Sequence, residues 1–486
     1  MTSRIDIVDT TLRDGHQSQW ATRMTTSMML DVCGRLDEAG FCAIDLMGQP
    51  QFDASVRFLK EDPWQRLDLI RERVTRNPLR GWMRSKGFHF ADVMAPDLME
   101  LWIERQIAHG IGSITCFDGL NDIENLIDPL SSAKKHGAEA VGALAFTLSP
   151  VHTDELYVSL ARDLVTRAGA DVILIKDSGA LLTPERCRTL VPKIRKVIGA
   201  VPLEVHSHCN VGMALPSYVA AWEAGADRVH AALWPLGGGI APPSTQSVLR
   251  NFGALDALPD IDMEIVAEVS RHFEQIAERE GFAKSAPLDY DVAHYDHQVP
   301  GGMVSNFRAS LAEVGLGDRM EDVLLECGRV RKDLGYPMLI TPFAQLVGGQ
   351  ALLNVINDER YKVVLDATKR FALGYWGTPP APVDPDVLDK IVANGAKDIP
   401  LDVTPTGNDV ADLRRRFPNM ADDERLLRNM VPGSHVDEML ATRFDPKPYR
   451  LPYPTERPPW GVVRRPHSTA LSIYFRDPPV RAARSG

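Results

Sequence analysis

The stretch DTTLRDGHQS, residues 9–18, decides how this chain is read. It follows a short apolar run at 5–8 and sets an arginine, a carboxylate, an imidazole and an amide close together: Arg13, Asp14, His16 and Gln17. A buried strand that runs out into such a cluster is expected at the catalytic rim of a barrel, where polar groups converge on a ligand. The plainer reading is a polar loop in which Asp14 caps the next helix. Two later segments favour the rim.

Apolar, β-branched-rich runs recur at about 42–46, 80–84, 113–117, 140–147, 171–176, 202–206 and 228–232. Amphipathic stretches at 24–38, 96–109, 154–167, 184–197 and 214–224 lie between them. Strands that alternate with helices on short turns pair in parallel. Eight such units in about 250 residues match the size of a (β/α)8 TIM barrel. A doubly wound open sheet competes, but no GxGxxG turn follows the first strand. The barrel is therefore expected over 1–285. The turn-rich segment YDHQVPGGMVSN at 295–306 then leads to helical patterns at 307–314, 320–334 and 342–355. These predict a mainly helical second domain over 286–442. From 443 to 486 the chain carries Pro446, Pro448, Pro452, Pro454, Pro458 and Pro459. That density predicts an extended arm, without helix or internal strand, that wraps the protein or a neighbouring subunit.

The first of the two segments is PLEVHSHCNVG, 202–212. His206 and His208 are one residue apart at the end of a strand, so both point to one face. Two imidazoles so placed suit a divalent ion such as zinc or manganese, although such pairs also occur as hydrogen-bonded rim residues. The second is DVILIKDSGALL, 171–182, in which Lys176 ends an almost wholly apolar strand. Burial weakens the preference of a lysine for its charged form. The alternative is an ion pair with Asp177 or Asp14. On one barrel Asp14 ends strand one, Lys176 strand six and the two histidines strand seven. One carboxylate and two imidazoles leave a tetrahedral ion short of a ligand, and a Lys176 amine carboxylated by CO2 would supply it.

Length and composition bound the rest. A chain of 486 residues with 44% hydrophobic and 24% charged residues has the profile of a soluble globular protein. A net charge of −11 argues against nucleic acid or an anionic membrane as partner. No apolar run approaches the ~20 residues of a membrane span, and the N-terminus lacks a secretion signal. Six scattered cysteines without a CxxC pair read as reduced thiols, with the cytoplasm as the expected location.

The sequence resembles the carboxyltransferase branch of the metal-dependent barrel enzymes, the family of pyruvate carboxylase, oxaloacetate decarboxylase alpha chain and transcarboxylase. The resemblance rests on LRDGHQS (12–18), FDASVRFLKEDPWQRL (52–67), CFDGLND (116–122), SPVHT (149–153), IKDSGALLTPE (175–185) and HSHCNVGM (206–213). It continues through HQVPGGMVSN (297–306), RVRKDLGYPMLITP (329–342) and GTPPAPVDP (377–385). It implies a metal held by Asp14, Lys176 as N6-carboxylysine, His206 and His208, with zinc first and manganese or cobalt as alternatives. It also implies that Gln17 and Arg84 hold a 2-oxo acid; Arg13 or a metal-bound water could assist the enolate oxygen. No AMKM-like segment is present, so biotin would come from a carrier protein or carboxylase subunit. The chain itself would form a homodimer or higher homo-oligomer.

One segment departs from the family. After strand eight a run rich in Ser and Thr is expected, and this chain has RVHAALWPLGGGIAPPST at 228–245. His230 stands for an expected Asp, Trp234 for a small polar residue, and Gly237, Gly238, Gly239 and Ile240 for the hydroxyls. The leading expectation is carboxyl transfer or decarboxylation on a 2-oxo acid of the pyruvate or oxaloacetate type, through an enolate. There the proton relay would fall to Ser244 or Thr245. The alternative is a biotin-independent carbon–carbon lyase, with Gly238 and Gly239 opening substrate space and His230 as acid or base. A non-catalytic assembly subunit is the third.

Overall fold

A computed structural model describes residues 4–87, 93–299, 307–308, 311–313, 315–395, 409–447 and 449, with the backbone of 460–463 and 472–475. Eight strands form a closed parallel barrel in chain order. They are β1 (Asp6–Asp9), β2 (Ala43–Gly48), β3 (Leu79–Arg84), β4 (Ile111–Phe117), β5 (Glu139–Ala145), β6 (Val172–Asp177), β7 (Leu203–Ser207) and β8 (Arg228–Ala231). Pairing of β1 with β8, from Asp6 opposite Arg228 to Asp9 opposite Ala231, closes the ring. The sequence reading of a TIM barrel agrees with this architecture.

Local chemistry starts the surrounding helices. Thr153 accepts from the Leu156 amide ahead of Asp154–Thr166, and Thr183 from the Arg186 amide ahead of Pro184–Ile198. Pro96 and Pro184 occupy first-turn positions, where no amide donor is needed. The stretch expected as one helix over 24–38 forms two, Thr26–Leu30 and Cys33–Glu38. The chain turns at Val32 (φ −124°). Apolar periodicity does not register the break, because Met28, Met29, Leu30, Cys33 and Leu36 on both sides of it stay in the core.

Helices Met320–Asp333 and Phe343–Ile356 pack together with Asp366–Ala372 and Pro385–Ala393 around a second core, built on Val330, Leu334, Phe343, Val347 and Ile391. This unit seats on the rim over the ends of β4 and β5. The Arg331 guanidinium donates to Thr147 Oγ1 (2.8 Å) and to the Leu148 carbonyl (3.0 Å). Phe343 lies so close to Gly119 that a Cβ there would meet the ring at 2.5 Å.

The last helices of the stretch expected as a second domain over 286–442 pack on the barrel. Helices Val410–Arg416, Asp422–Met430 and Gly433–Ala441 bury Leu413, Leu426, Leu427, Met430, Val436 and Met439 in the barrel's core. Asp423 fastens them: Arg105 Nε donates to its carboxylate (2.6 Å) and Trp64 Nε1 to its carbonyl (3.1 Å). Periodicity reports that a helix has an apolar face; it does not report which core the face joins. The Pro-rich arm also departs from expectation, since β9 (Trp460–Val463) and β10 (Ser472–Phe475) pair antiparallel. Both segments are free of proline, which is why pairing is open to them. Of the pattern at 307–314, residues 309, 310 and 314 lie outside the described residues, as do 300–306 of the turn segment.

Removing the Leu426 side chain tests the reassignment. Leu426→Ala should lower stability by about 2–4 kcal/mol in chemical denaturation. Hydrogen exchange should rise in 63–71 and 96–108, against which this segment packs, and not in 343–356. The opposite pattern would return these helices to the helical unit.

Candidate metal centre and substrate cavity

The chain leaves β1 through a single π-helical turn, Thr11–Gly15, that buries Arg13 and Asp14. Such turns concentrate at functional sites. On the opposite side of the rim Lys176 is in register with His206. One ligand atom from each of Asp14, His206 and His208 falls within 4.8 Å of the others.

The other ring nitrogens are already occupied. His206 Nδ1 meets His230 Nδ1 at 3.2 Å, and His208 Nδ1 donates to the Ile240 carbonyl at 2.8 Å. Both Nε2 atoms are buried without a hydrogen-bond partner, 3.5 Å and 3.4 Å from Asp14 oxygens. Two orphaned imidazole nitrogens converging on a carboxylate fit a divalent cation and leave buried polar atoms unpaired without one. Burial alone would raise the Asp14 carboxyl, but Arg13 and the two imidazoles hold it well below the usual carboxylate range. Burial, with Arg13 nearby, pushes the Lys176 ammonium down to about 8. Lys176 Nζ donates to Ser178 Oγ (2.8 Å) and lies over the Phe117 ring.

A cavity of about 450 Å³ opens beside these groups. Arg13, Asp14, Gln17, Arg84, Lys176 and His208 line it, which brings most of the expected site residues to one wall. Arg13 Nη1 lies 2.8 Å from Asp14, and its guanidinium stacks on Trp82 at 3.9 Å. Burial lowers Arg84 to about 10, so its charge gains from an anion in the cavity. Gln51 Nε2 donates to Gln17 Oε1 (3.0 Å), which leaves the Gln17 amide nitrogen as the donor.

Five other expected residues stand outside the cavity wall. His230 is fully buried beneath the cavity, between His206 and Glu204, and does not line it. Gly238 and Gly239 face Ser285 and Ala286, where a Cβ would meet Ser285 Oγ at 2.7 Å or the Ala286 carbonyl at 2.8 Å. They are packing glycines in left-handed conformations (φ +99° and +58°) and do not open substrate space. Ser244 caps helix Thr245–Ala254 and Thr245 is wholly buried, so neither lines the cavity.

Other wall residues went unread in the sequence: Gln49, Gln51, Trp82, Ser178, Thr341 and Gln345. Trp82 carried a signal, since it alternates with Arg80 and Arg84 on one face of β3. Thr341 and Gln345 come from the helical unit, and nothing in strand spacing points to them.

Residues 295–426 match the conserved carboxylase domain, and residues 124–272 the HMGL-like family. A pyruvate carboxylase subunit of Methanocaldococcus jannaschii is 40% identical over 410 residues, 82% of this chain and 71% of the relative. The chain belongs to the carboxyltransferase family of pyruvate carboxylase. It is an enzyme of that family. The methylmalonyl-CoA carboxyltransferase 5S subunit of Propionibacterium freudenreichii is 33% identical over 389 residues, covering 79% of this chain and 76% of its own. The carboxyl transferase domain of Rhizobium etli pyruvate carboxylase, solved with pyruvate and biocytin, superposes with a TM-score of 0.80 at 26% identity. That superposition covers 91% of this chain and 78% of the other. Among the described residues no helix is long and apolar enough to cross a membrane.

The ligand set predicts a specific loss. His206→Ala should purify with well under one divalent ion per chain where the parent holds one, measured by elemental analysis. Full metal content in the variant would reject the assignment.

Proposed function

We propose that this carboxyltransferase-family chain moves a carboxyl group to or from a small 2-oxo acid, pyruvate or oxaloacetate, through an enolate, with biotin presented by another chain. The observation that carries this reading is the convergence of Asp14, His206 Nε2 and His208 Nε2 beside a cavity that also holds Arg13, Gln17 and Arg84. The relatives support it: their names describe proteins that move carboxyl groups. A divalent ion at Asp14, His206 and His208, zinc first and manganese or cobalt as alternatives, would supply Lewis-acid polarisation of the 2-oxo group.

The chain's own groups do the rest. Arg84 pairs with the substrate carboxylate, which a planar guanidinium can grip through two parallel hydrogen bonds. Gln17 donates its amide hydrogens to the 2-oxo acid. Arg13, held by Asp14 and the Trp82 face, stabilises the oxygen that gains charge in the enolate. Lys176, carboxylated to N6-carboxylysine by CO2, would supply the fourth ligand.

Proton transfer falls to Thr341. Its Oγ1 accepts from Gln345 Nε2 at 3.2 Å, so its own proton is available to the cavity. With carboxylated biotin presented by the partner chain, this hydroxyl would take up the proton leaving the substrate methyl and give its own to the ureido nitrogen, while the released CO2 bonds to the substrate carbon. The Ser/Thr run missing after β8 is not needed for this step. A biotin carrier protein or carboxylase subunit is the partner required, in the cytoplasm, with this chain a homodimer or higher oligomer.

Biotin-stimulated decarboxylation of oxaloacetate by the purified chain tests the reading. Thr341→Ala should lower kcat by roughly 100-fold or more with KM for oxaloacetate little changed, and Thr341→Ser should retain activity. Turnover that ignores biotin would overturn the carboxyl-transfer assignment.

Only a neutral amine adds CO2, and an ammonium pushed down to about 8 is neutral in about half the chains near that pH. Raising the pH from about 7 to about 9 should therefore increase a carbamate signal in protein equilibrated with 13C-bicarbonate, read by NMR. The signal should be missing from Lys176→Ala. A parent protein without it across that range would reject N6-carboxylysine.

A further inference from the structure

We propose that Glu204 and His230 are positioning residues that together fix the tautomer of His206, so that its Nε2 presents a lone pair to the metal centre. The proposal rests on the metal-centre reading above and adds to it two residues outside the cavity wall. Glu204 and His206 alternate along β7, His230 stands on the neighbouring β8, and all three are fully buried.

The direction of each hydrogen bond follows from the charge on Glu204. Its Oε2 lies 2.7 Å from Arg80 Nη1, while its Oε1 lies 3.1 Å from Arg80 Nη2 and 3.0 Å from Arg228 Nη1. A carboxylate facing two guanidinium groups is ionised and has no proton to give. It accepts from His230 Nε2 at 2.9 Å, so the His230 proton sits on Nε2. In the neutral ring Nδ1 is then a lone pair, and it accepts from His206 Nδ1–H at 3.2 Å. The proton of His206 is thereby placed on Nδ1, and Nε2 faces Asp14 bare.

His208 reaches the same state directly, because the Ile240 carbonyl beside its Nδ1 can only accept. An imidazole beside His206 could donate or accept, and a neutral His230 whose proton is held on Nε2 by Glu204 can only accept. Asp45 is the other acid near His230, but its Oδ2 lies 3.8 Å from Nδ1 and is turned to Arg13 at 3.4 Å. Trp82 meets both rings, tilted on His206 and edge-on to His230, which limits their rotation. Groups that orient a metal-binding imidazole in this way are worth roughly 10- to 100-fold in metal affinity.

Nitrogen NMR of the full chain labelled with 15N-histidine reads the tautomers without any substitution. Metal-free protein should show His206 protonated on Nδ1 and His230 on Nε2. A proton on His206 Nε2, or a doubly protonated His230, would overturn the proposal. Zinc affinity by chelator competition is the second arm. His230→Phe should bind zinc about 10- to 100-fold more weakly than the parent. His230→Gln can accept from His206 through its oxygen and donate to Glu204 through its nitrogen, so it should stay close to the parent. Parent-like affinity in His230→Phe would also overturn the proposal. If the parent binds no zinc, the metal-centre reading fails instead, and the tautomers still decide the role of Glu204 and His230.

Discussion

Asp14 is buried to 4% exposure, and its charge is tolerated there only because Arg13 lies 2.8 Å away and two imidazoles face its oxygens. Much of the barrel interior serves that constraint. Arg13 needs its own support, which Trp82 gives through its ring face and Asp45 through its carboxylate. Below lies a second group of buried charges, Arg80, Glu204 and Arg228, joined at 2.7–3.1 Å. Taking ions out of water costs several kcal/mol each, and pairing only offsets this when the geometry is good. Apolar residues would fill such a layer as stably. Charged ones stand here in a line of contacts that runs from Arg80 through Glu204 and His230 to His206.

The cavity depends on a second constraint, the seating of the helical unit on the rim. The barrel supplies the candidate metal ligands and Arg84, while Leu339, Ile340, Thr341, Ala344 and Gln345 close the facing wall. The spacing between Thr341 and Asp14 is therefore set by an interface between two cores. Arg331 and Gln298 fix that interface through Thr147 and Leu148, with Gly119 letting Phe343 approach.

How far the sequence could be read follows from the range of its signals. The eight strands were visible because each is a short apolar run with its own helix, and Lys176, His206 and His208 were visible because they end such runs. Asp14 and Arg84 follow the same logic. Glu204 and Arg80 sit one strand period before His206 and Trp82, so a period of two carried them as well, yet a single charged residue in a strand reads equally as a solvent-facing one. Thr341, 165 positions beyond Lys176 along the chain, and the barrel-bound helices of 410–441 depend on tertiary packing that no local pattern records. The proline-rich arm misled for a related reason: average composition concealed two short segments without proline.

The segment after β8 shows why a departure from a family pattern has to be read by position. Its glycines look like lost hydroxyls in the sequence. In the fold, a Cβ on Gly237 would meet the Ala232 carbonyl at 2.2 Å, and Gly238 donates its amide to the Pro242 carbonyl at 2.7 Å. These contacts pull the loop tight against the barrel and bring the Ile240 carbonyl to His208 Nδ1. The segment therefore meets the candidate metal ligands through backbone geometry, orienting an imidazole, while Ser178 and Thr341 bring hydroxyls to the cavity wall. Replacing the side chains of a supporting loop leaves the reacting surface intact. That is why the glycine run and His230 are compatible with carboxyl transfer and give no support to a rebuilt lyase site.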